Sequence, residues 1–232
     1  MFYVNLKYLK RKVFTVDKMS VIVPCFNEED VLPLFYQEVT KVLESIENTT
    51  YELLFINDGS SDHTEDLIKL MAHKNKQCFY YSFSRNFGKE AAMYAGLENA
   101  TGDYVVIMDA DLQHPPYLLK EMYRSLKEEN YDCSAGKRID RTGEGKLRNF
   151  LSHSFYKVIQ TLTKMDMDDG AGDFRMMTRQ MVDAILELKE YNRYMKGLFS
   201  FVGFNTKWLE FHNVERQGGK TKWSFKSLFS YA

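Results

Sequence analysis

Thr101 to Pro116 reads TGDYVVIMDADLQHPP, and the fold is decided here. Tyr104-Val105-Val106-Ile107-Met108 is a short apolar run rich in β-branched residues, bounded by Gly102-Asp103 before it and Pro115-Pro116 after it. Such a run predicts a buried strand, of the kind that fills a parallel sheet. At its carboxyl end the chemistry changes abruptly to Asp109-Ala110-Asp111 and then Gln113. Ligands of open α/β sheets bind beyond the carboxyl ends of the strands. Two carboxylates one residue apart can turn toward one divalent cation, and oxygen ligands suit Mg²⁺ or Mn²⁺ beside a substrate phosphate. The alternative is a solvated acidic turn in which Asp111 caps a helix starting near Pro115. Asp-x-Asp alone does not choose between them.

Outward from this strand, the same alternation repeats. Ser20 to Pro24 reads as a first strand, followed by Cys25-Phe26-Asn27-Glu28-Glu29 and a helical pattern through Val31, Leu34, Phe35, Val39, Val42, Leu43 and Ile46. Tyr51 to Ile56 is a second strand, ending in Asn57-Asp58-Gly59-Ser60-Ser61-Asp62 and a helix from about His63 to Lys74. Cys78 to Phe83 is a third, followed by Ser84-Arg85-Asn86-Phe87-Gly88-Lys89 and a helix from about Glu90 to Asn99. After the opening strand come a helix from about Pro116 to Glu129 and a fifth strand, Tyr131 to Ala135. Strand and helix alternating in this way predict βαβ units, hence a mostly parallel sheet with helices on both faces. The polar clusters follow strand ends and should line one crevice. No Gly-x-Gly-x-x-Gly follows the first strand and no Gly-x-x-x-x-Gly-Lys-Ser/Thr is present, which disfavours dinucleotide and P-loop folds.

The remaining sequence differs in character. Ser134 to Lys164 carries seven basic residues against two acids, with Gly136, Gly143 and Gly145 predicting a loop. Leu147, Leu151, Phe155, Val158 and Leu162 then form an apolar stripe at helical spacing. A basic amphipathic helix packs on a core or lies on a membrane surface. Tyr191 to Phe204 is again aromatic and lightly basic, and between the two lies Asp168 to Arg175, which reads as a tight acidic loop.

Composition excludes several classes. A chain of 232 residues, 44% hydrophobic and 27% charged with net charge −1, is an ordinary globular balance that gives no argument for nucleic acid. Cys25, Cys78 and Cys133 have no metal spacing and read as buried free thiols. No run approaches the roughly 18 apolar residues of a membrane span. The basic start, with Lys7, Lys10, Arg11, Lys12 and Lys18, lacks the apolar stretch of a secretory signal.

Taken together, SVIVPCFNEE, NDGSSDHT, DADLQHPP, GDFR and RQGGKTKW resemble glycosyltransferase family 2 of the GT-A fold, and more narrowly the polyprenyl-phosphate glycosyltransferases, which include dolichol-phosphate mannose synthases and bactoprenol glucosyltransferases. The resemblance covers Ser20 to the end, and RYMKGLFSFVGF is similar to the segment preceding the last sheet strand of the bactoprenol group. Residues 1–19, before it, read as a basic N-terminal arm; the resemblance implies a nucleotide-sugar-binding α/β half over 20–135 and an acceptor-binding half over 136–232 of the same domain, with C-terminal interfacial amphipathic helices.

It implies roles too. Pro24, Phe26, Asn27, Glu28, Asp58 and Ala110 would surround the nucleotide, a UDP-sugar being favoured over GDP-mannose. Asp109 and Asp111, with Gln113, would hold Mg²⁺ or Mn²⁺. Arg138, Arg141, Arg148 and Ser152 would bind a polyprenyl phosphate, and Arg216 and Lys222 would close over the diphosphate. Asp173 matches the family's acidic residue near the acceptor, where it serves as base or orients its neighbours. Asn57 stands where the family often has Asp, and GGKTKW replaces the commoner Gly-x-Ser-Lys-Tyr form. His63, His114 and His153 suggest no activated nucleophile or zinc site and read as surface or capping residues.

The implied enzyme works on the cytoplasmic face of a membrane, with transmembrane helices expected beyond this chain, and a homo-oligomer is compatible with it. The rivals are a soluble family 2 enzyme extending a glycan, a sugar nucleotidyltransferase (disfavoured because CFNEE replaces its Gly- and Arg-rich loop), and a non-catalytic nucleotide-binding module.

Overall fold

The computed structural model describes residues 16–139, 171–188 and 194–212. The strands are β1 (Asp17–Cys25), β2 (Thr49–Asn57), β3 (Cys78–Ser82), β4 (Tyr104–Ile107), β5 (Cys133–Arg138), β6 (Ala171–Thr178) and β7 (Thr206–Phe211). The helices are α1 (Leu32–Glu44), α2 (Thr64–Lys74), α3 (Lys89–Asn99), α4 (Leu118–Glu128), α5 (Arg179–Leu186) and α6 (Met195–Phe201). The strands form one sheet in the order β3-β2-β1-β4-β6-β5-β7. Neighbours are parallel except β6, which runs antiparallel to both β4 and β5.

Strand alternation sorts the core into two layers. Met19, Val21 and Val23 of β1 face α1 and α4 through Phe35, Val39, Leu119 and Met122. Ile22, with Val105 and Ile107 of β4, faces Ala92, Met93 and Leu97 of α3 and Met181 and Ile185 of α5. A strand covered on both faces has to be apolar along its whole length, which is why these runs are continuous rather than alternating. Helix α3 approaches β1 so closely that a Cβ on Gly96 would collide with the Ile22 side chain.

Two features depart from expectation. Strand β1 starts at Asp17, within the stretch read as a basic arm, because its backbone pairs with β2 from Asp17↔Thr49 onward. The segment read as an acidic loop, Asp168 to Arg175, runs from Ala171 onward as the first part of an interior strand, β6, whose Phe174, Met176 and Met177 are fully buried. The apolar stripe from Leu147 to Leu162 lies outside the described residues. Within the second aromatic stretch, α6 buries Met195, Leu198 and Phe199 and exposes Phe201, with Tyr194 exposed just before it. Among the described residues no helix is long and apolar enough to cross a membrane. All three cysteines are buried free thiols.

Candidate active site

The loops after β1, β2, β4 and at the start of β6 meet at one end of the sheet. The first two interlock. Asn27, in the left-handed region at φ 53, accepts the Ser61 N–H at 2.8 Å through Oδ1, and its own N–H donates to Ser60 Oγ at 3.0 Å. The Glu28 N–H donates to Thr64 Oγ1 at 2.7 Å. Asp62 joins them by accepting the N–H groups of Thr64 and Glu29. Capping near α2 is therefore the work of Asp62, and Asp58 is free for another task. Asn57 is fully buried and structural: its Oδ1 accepts the Ser60 N–H, and its Nδ2 donates to Ser82 Oγ and Glu65 Oε2.

Asp58 reaches to the loop before α3. Its two oxygens accept the N–H groups of Phe87 at 2.7 Å and Gly88 at 2.9 Å. Burial pushes its carboxyl above the usual range despite these bonds. Gly59, at φ 65, lies so close to the Arg85–Asn86 backbone that no side chain fits there. The β2 loop thus fixes where α3 begins, and α3 begins with Lys89.

Lys89 is half-buried, and its Nζ lies 2.7 Å from Asp109 Oδ1 and 2.7 Å from Asp173 Oδ2. Burial alone would push the ammonium down, but the two carboxylates outweigh it and its pKa rises. The reverse holds for Asp109 and Asp173: burial favours their neutral forms, yet Lys89 keeps both below the usual carboxylate range. Neither periodicity nor motif singled out Lys89. It is visible only as the partner of residues 20 and 84 positions away.

Asp109, Asp111 and His114 bring one ligand atom each to within 4.8 Å of one another. Two carboxylates and an imidazole suit Mn²⁺ or a similar divalent ion. Asp111 is buried and accepts the Gln113 N–H at 3.1 Å, across Leu112 in the left-handed region at φ 56. It stabilises this turn, not the start of α4, which lies further on at Leu118. Gln113 enters this turn through its backbone.

His114 corrects the expectation of a surface or capping residue. It is buried, stacks on Phe174 with centroids 4.9 Å apart, and meets Phe211 edge-on at 6.1 Å. Its Nδ1 is buried and has no hydrogen-bond partner. Burial holds its pKa down, opposed by Asp109, so a neutral imidazole able to ligate is favoured. The Asp-x-Asp-x-x-His spacing is the signal that the sequence carries for it. His63 is an exposed residue 3.4 Å from Asp66.

Pro24 lies near the end of β1, with Phe26 and Glu28 in the loop that follows it, and Ala110 lies in the turn after β4, between Asp109 and Asp111. Arg138 ends β5, half-buried, close enough to His114 to oppose its protonation. Beneath Asp173, Arg175 is buried, donates to the Gly172 carbonyl at 2.9 Å, and lays its guanidinium 3.7 Å over the Phe199 ring. Glu90, beside Lys89, accepts the Met195 N–H at 2.8 Å. Helix α6 is therefore attached to the cluster from two sides. Arg141, Arg148, Ser152, His153, Arg216 and Lys222 lie outside the described residues.

The chain matches known proteins by profile, by sequence and by fold. The profile described as "Glycosyl transferase family 2" matches residues 20–186. The chain is 47% identical over 213 residues to "Putative glycosyltransferase CsbB" of Bacillus subtilis, covering 92% of this chain and 64% of that protein. It is 38% identical over 219 residues to "Prophage bactoprenol glucosyl transferase homolog" of Escherichia coli, covering 93% of this chain and 70% of that protein. The chain thus spans about two thirds of the length of these relatives.

Among solved structures, it resembles a Pyrobaculum calidifontis mannosyltransferase in complex with GDP-Man and Mn²⁺ (TM-score 0.61, 17% identity, 88% of this chain and 58% of that one). It also resembles glucosyl-3-phosphoglycerate synthase of Mycobacterium tuberculosis with Mn²⁺ and UDP-glucose (TM-score 0.58, 18% identity, 93% of this chain and 76% of that one). At such identities the likeness concerns the fold, which is GT-A. By profile and by relatives, the chain belongs to glycosyltransferase family 2.

Proposed function

We propose that this chain transfers a sugar from a nucleotide diphosphate sugar to a polyprenyl phosphate, with inversion, on the cytoplasmic face of a membrane. The observation that carries the acceptor class is the ion pair of Lys89 with Asp173 at 2.7 Å. A carboxylate already held by an ammonium is a weak general base. An acceptor hydroxyl needs a strong one. A phosphate monoester does not, because its second pKa is about 6 and its oxygen is already largely ionised at neutral pH. The relatives named for bactoprenol glucosyl transfer support the same acceptor.

In this reading Pro24, Phe26, Asn27, Glu28, Asp58 and Ala110 border the nucleotide, a UDP-sugar being favoured. Asp109, Asp111 and His114, with Gln113, would hold Mg²⁺ or Mn²⁺, and such an ion would supply positive charge to offset that of the diphosphate. Arg138, Arg141, Arg148 and Ser152 bind the acceptor phosphate, where arginine's planar fork suits phosphate oxygens. Arg216 and Lys222 close over the diphosphate. An acceptor phosphate oxygen forms the bond to the anomeric carbon as the bond to the nucleoside diphosphate breaks, its electron pair leaving with the diphosphate. Asp173, held by Lys89, orients the acceptor rather than deprotonating it. In this reading the basic stretch before β1 and the aromatic stretch around α6, where Tyr194 and Phe201 are exposed, would face the membrane.

The test is transfer of labelled glucose from UDP-glucose in detergent with Mn²⁺. Three acceptors are compared: a polyprenyl phosphate, the unphosphorylated polyprenol and an oligosaccharide. Transfer to the phosphate alone is expected, with the anomeric configuration inverted. Transfer to the oligosaccharide alone would make the chain a glycan-extending enzyme and Asp173 its base.

A further inference from the structure

We propose that Lys89 is a resident cation of the site, which ties Asp109 to Asp173 when no metal is present and must release Asp109 when a divalent ion binds. The inference rests on the reading of Asp109 as a metal ligand. The ammonium straddles that carboxylate, 2.7 Å from Oδ1 and 2.8 Å from Oδ2, while 2.7 Å from Asp173 Oδ2. A divalent ion shared by Asp109, Asp111 and His114 needs at least one of the same Asp109 oxygens. Two cations on one partly buried carboxylate repel strongly, because the low dielectric around it screens like charges a few ångströms apart far less than water does.

The lysine has somewhere to go. Asp173 keeps one oxygen on Lys89, and its other oxygen, Oδ1, is buried without a hydrogen-bond partner. When the metal takes Asp109, the ammonium can close fully onto Asp173. Its stem cannot drift far. The Gly88 N–H is bound to Asp58 Oδ2 at 2.9 Å, and Glu90 accepts the Met195 N–H at 2.8 Å. Lys89 is therefore a positioning residue whose side chain moves on a fixed base. Metal arrival on the donor side changes how tightly Asp173 is held on the acceptor side.

A purely structural lysine and a resident cation predict opposite results for metal affinity. The experiment is an Mn²⁺ titration of the whole chain without nucleotide, read by the electron paramagnetic resonance of free Mn²⁺. It compares the unsubstituted protein with Lys89→Met, Lys89→Arg and Asp111→Asn. Removing a competing cation should tighten Mn²⁺ binding in Lys89→Met by roughly tenfold or more. Lys89→Arg should stay near the starting affinity, and sugar transfer by Lys89→Met should fall even as its metal binding improves. Equal or weaker Mn²⁺ binding by Lys89→Met overturns the proposal, provided Asp111→Asn still loses the metal. If Asp111→Asn binds Mn²⁺ like the unsubstituted protein, or none of the four binds it, the reading of the metal site itself fails, which is a separate failure. Circular dichroism checks folding. Should Lys89→Met not fold, Lys89→Gln, which keeps an N–H donor for Asp173, carries the same prediction and the same contrary result.

Discussion

The carboxylate of Asp58 accepts the backbone N–H of Gly88 at 2.9 Å across 30 positions of sequence, and the residue after Gly88 is Lys89. The second loop of the sheet therefore sets the position of the ammonium that joins Asp109 to Asp173. Asp58→Ala removes both acceptors and leaves the N–H groups of Phe87 and Gly88 unpaired. Hydrogen bonds to a charged group contribute about 1.5–3 kcal/mol each, with partial recovery by water. Asp58→Ala is expected to lower unfolding stability by about 2 kcal/mol or more in urea. A loss below about 0.5 kcal/mol, the range of ordinary surface substitutions, would mean that this link does not hold the loop.

Glu52 makes acid stability predictable in sign. It is buried, ion-paired with Lys18, and accepts bonds from Ser20 and Thr101. Burial pushes its carboxyl up, but these partners more than offset that and the pKa ends below the ordinary value. A depressed folded-state pKa gives stability that is present above the unfolded value of about 4.3 and is lost as pH falls through the folded value. Melting temperatures measured downward from pH 7 should decline less steeply below about pH 4.3 in Glu52→Gln than in the unsubstituted protein. Parallel curves would remove Glu52 from the acid transition.

Gly96 sets two effects against each other. Alanine is better than glycine inside a helix by about 1 kcal/mol. A Cβ there, however, would run into Ile22 Cγ2 and Cγ1 at the α3–β1 contact. Overpacking a tight core costs about 1–3 kcal/mol, so the collision should win. Gly96→Ala is expected to melt lower than the unsubstituted protein, and the same substitution made in an Ile22→Ala background should cost less than it does alone. A rise in melting temperature for the single variant would show that the helix can shift away.

His114 has two roles that separate on measurement. His114→Phe keeps a ring on Phe174 and loses the nitrogen ligand, so Mn²⁺ affinity should fall by roughly tenfold while folding persists. Unchanged Mn²⁺ affinity would leave His114 as a packing residue only.

The strands were legible because β1, β2 and β4 are covered on both faces and so must be continuous apolar runs. Strand β6 was not, because Gly-Ala-Gly-Asp has turn chemistry and its charged residues are buried by tertiary partners. Arg175 rests on Phe199 and Asp173 on Lys89, contacts that no local pattern encodes. For the same reason Asp109 and Asp111 could be proposed as ligands from one tripeptide, whereas Lys89 emerged only from pairing across elements. His114 was in plain sight at a ligand spacing, but its burial between Phe174 and Phe211 depends on two distant strands.

The central claim is a metal-dependent nucleotide site at the carboxyl end of β4. Calorimetric titration of UDP, GDP and CDP, each with and without Mn²⁺, tests it most directly. One of the three should bind only with Mn²⁺, UDP being expected, and Asp111→Asn should abolish that binding without lowering the melting temperature enough to unfold the protein. Nucleotide binding that ignores Mn²⁺ and survives Asp111→Asn would contradict the account.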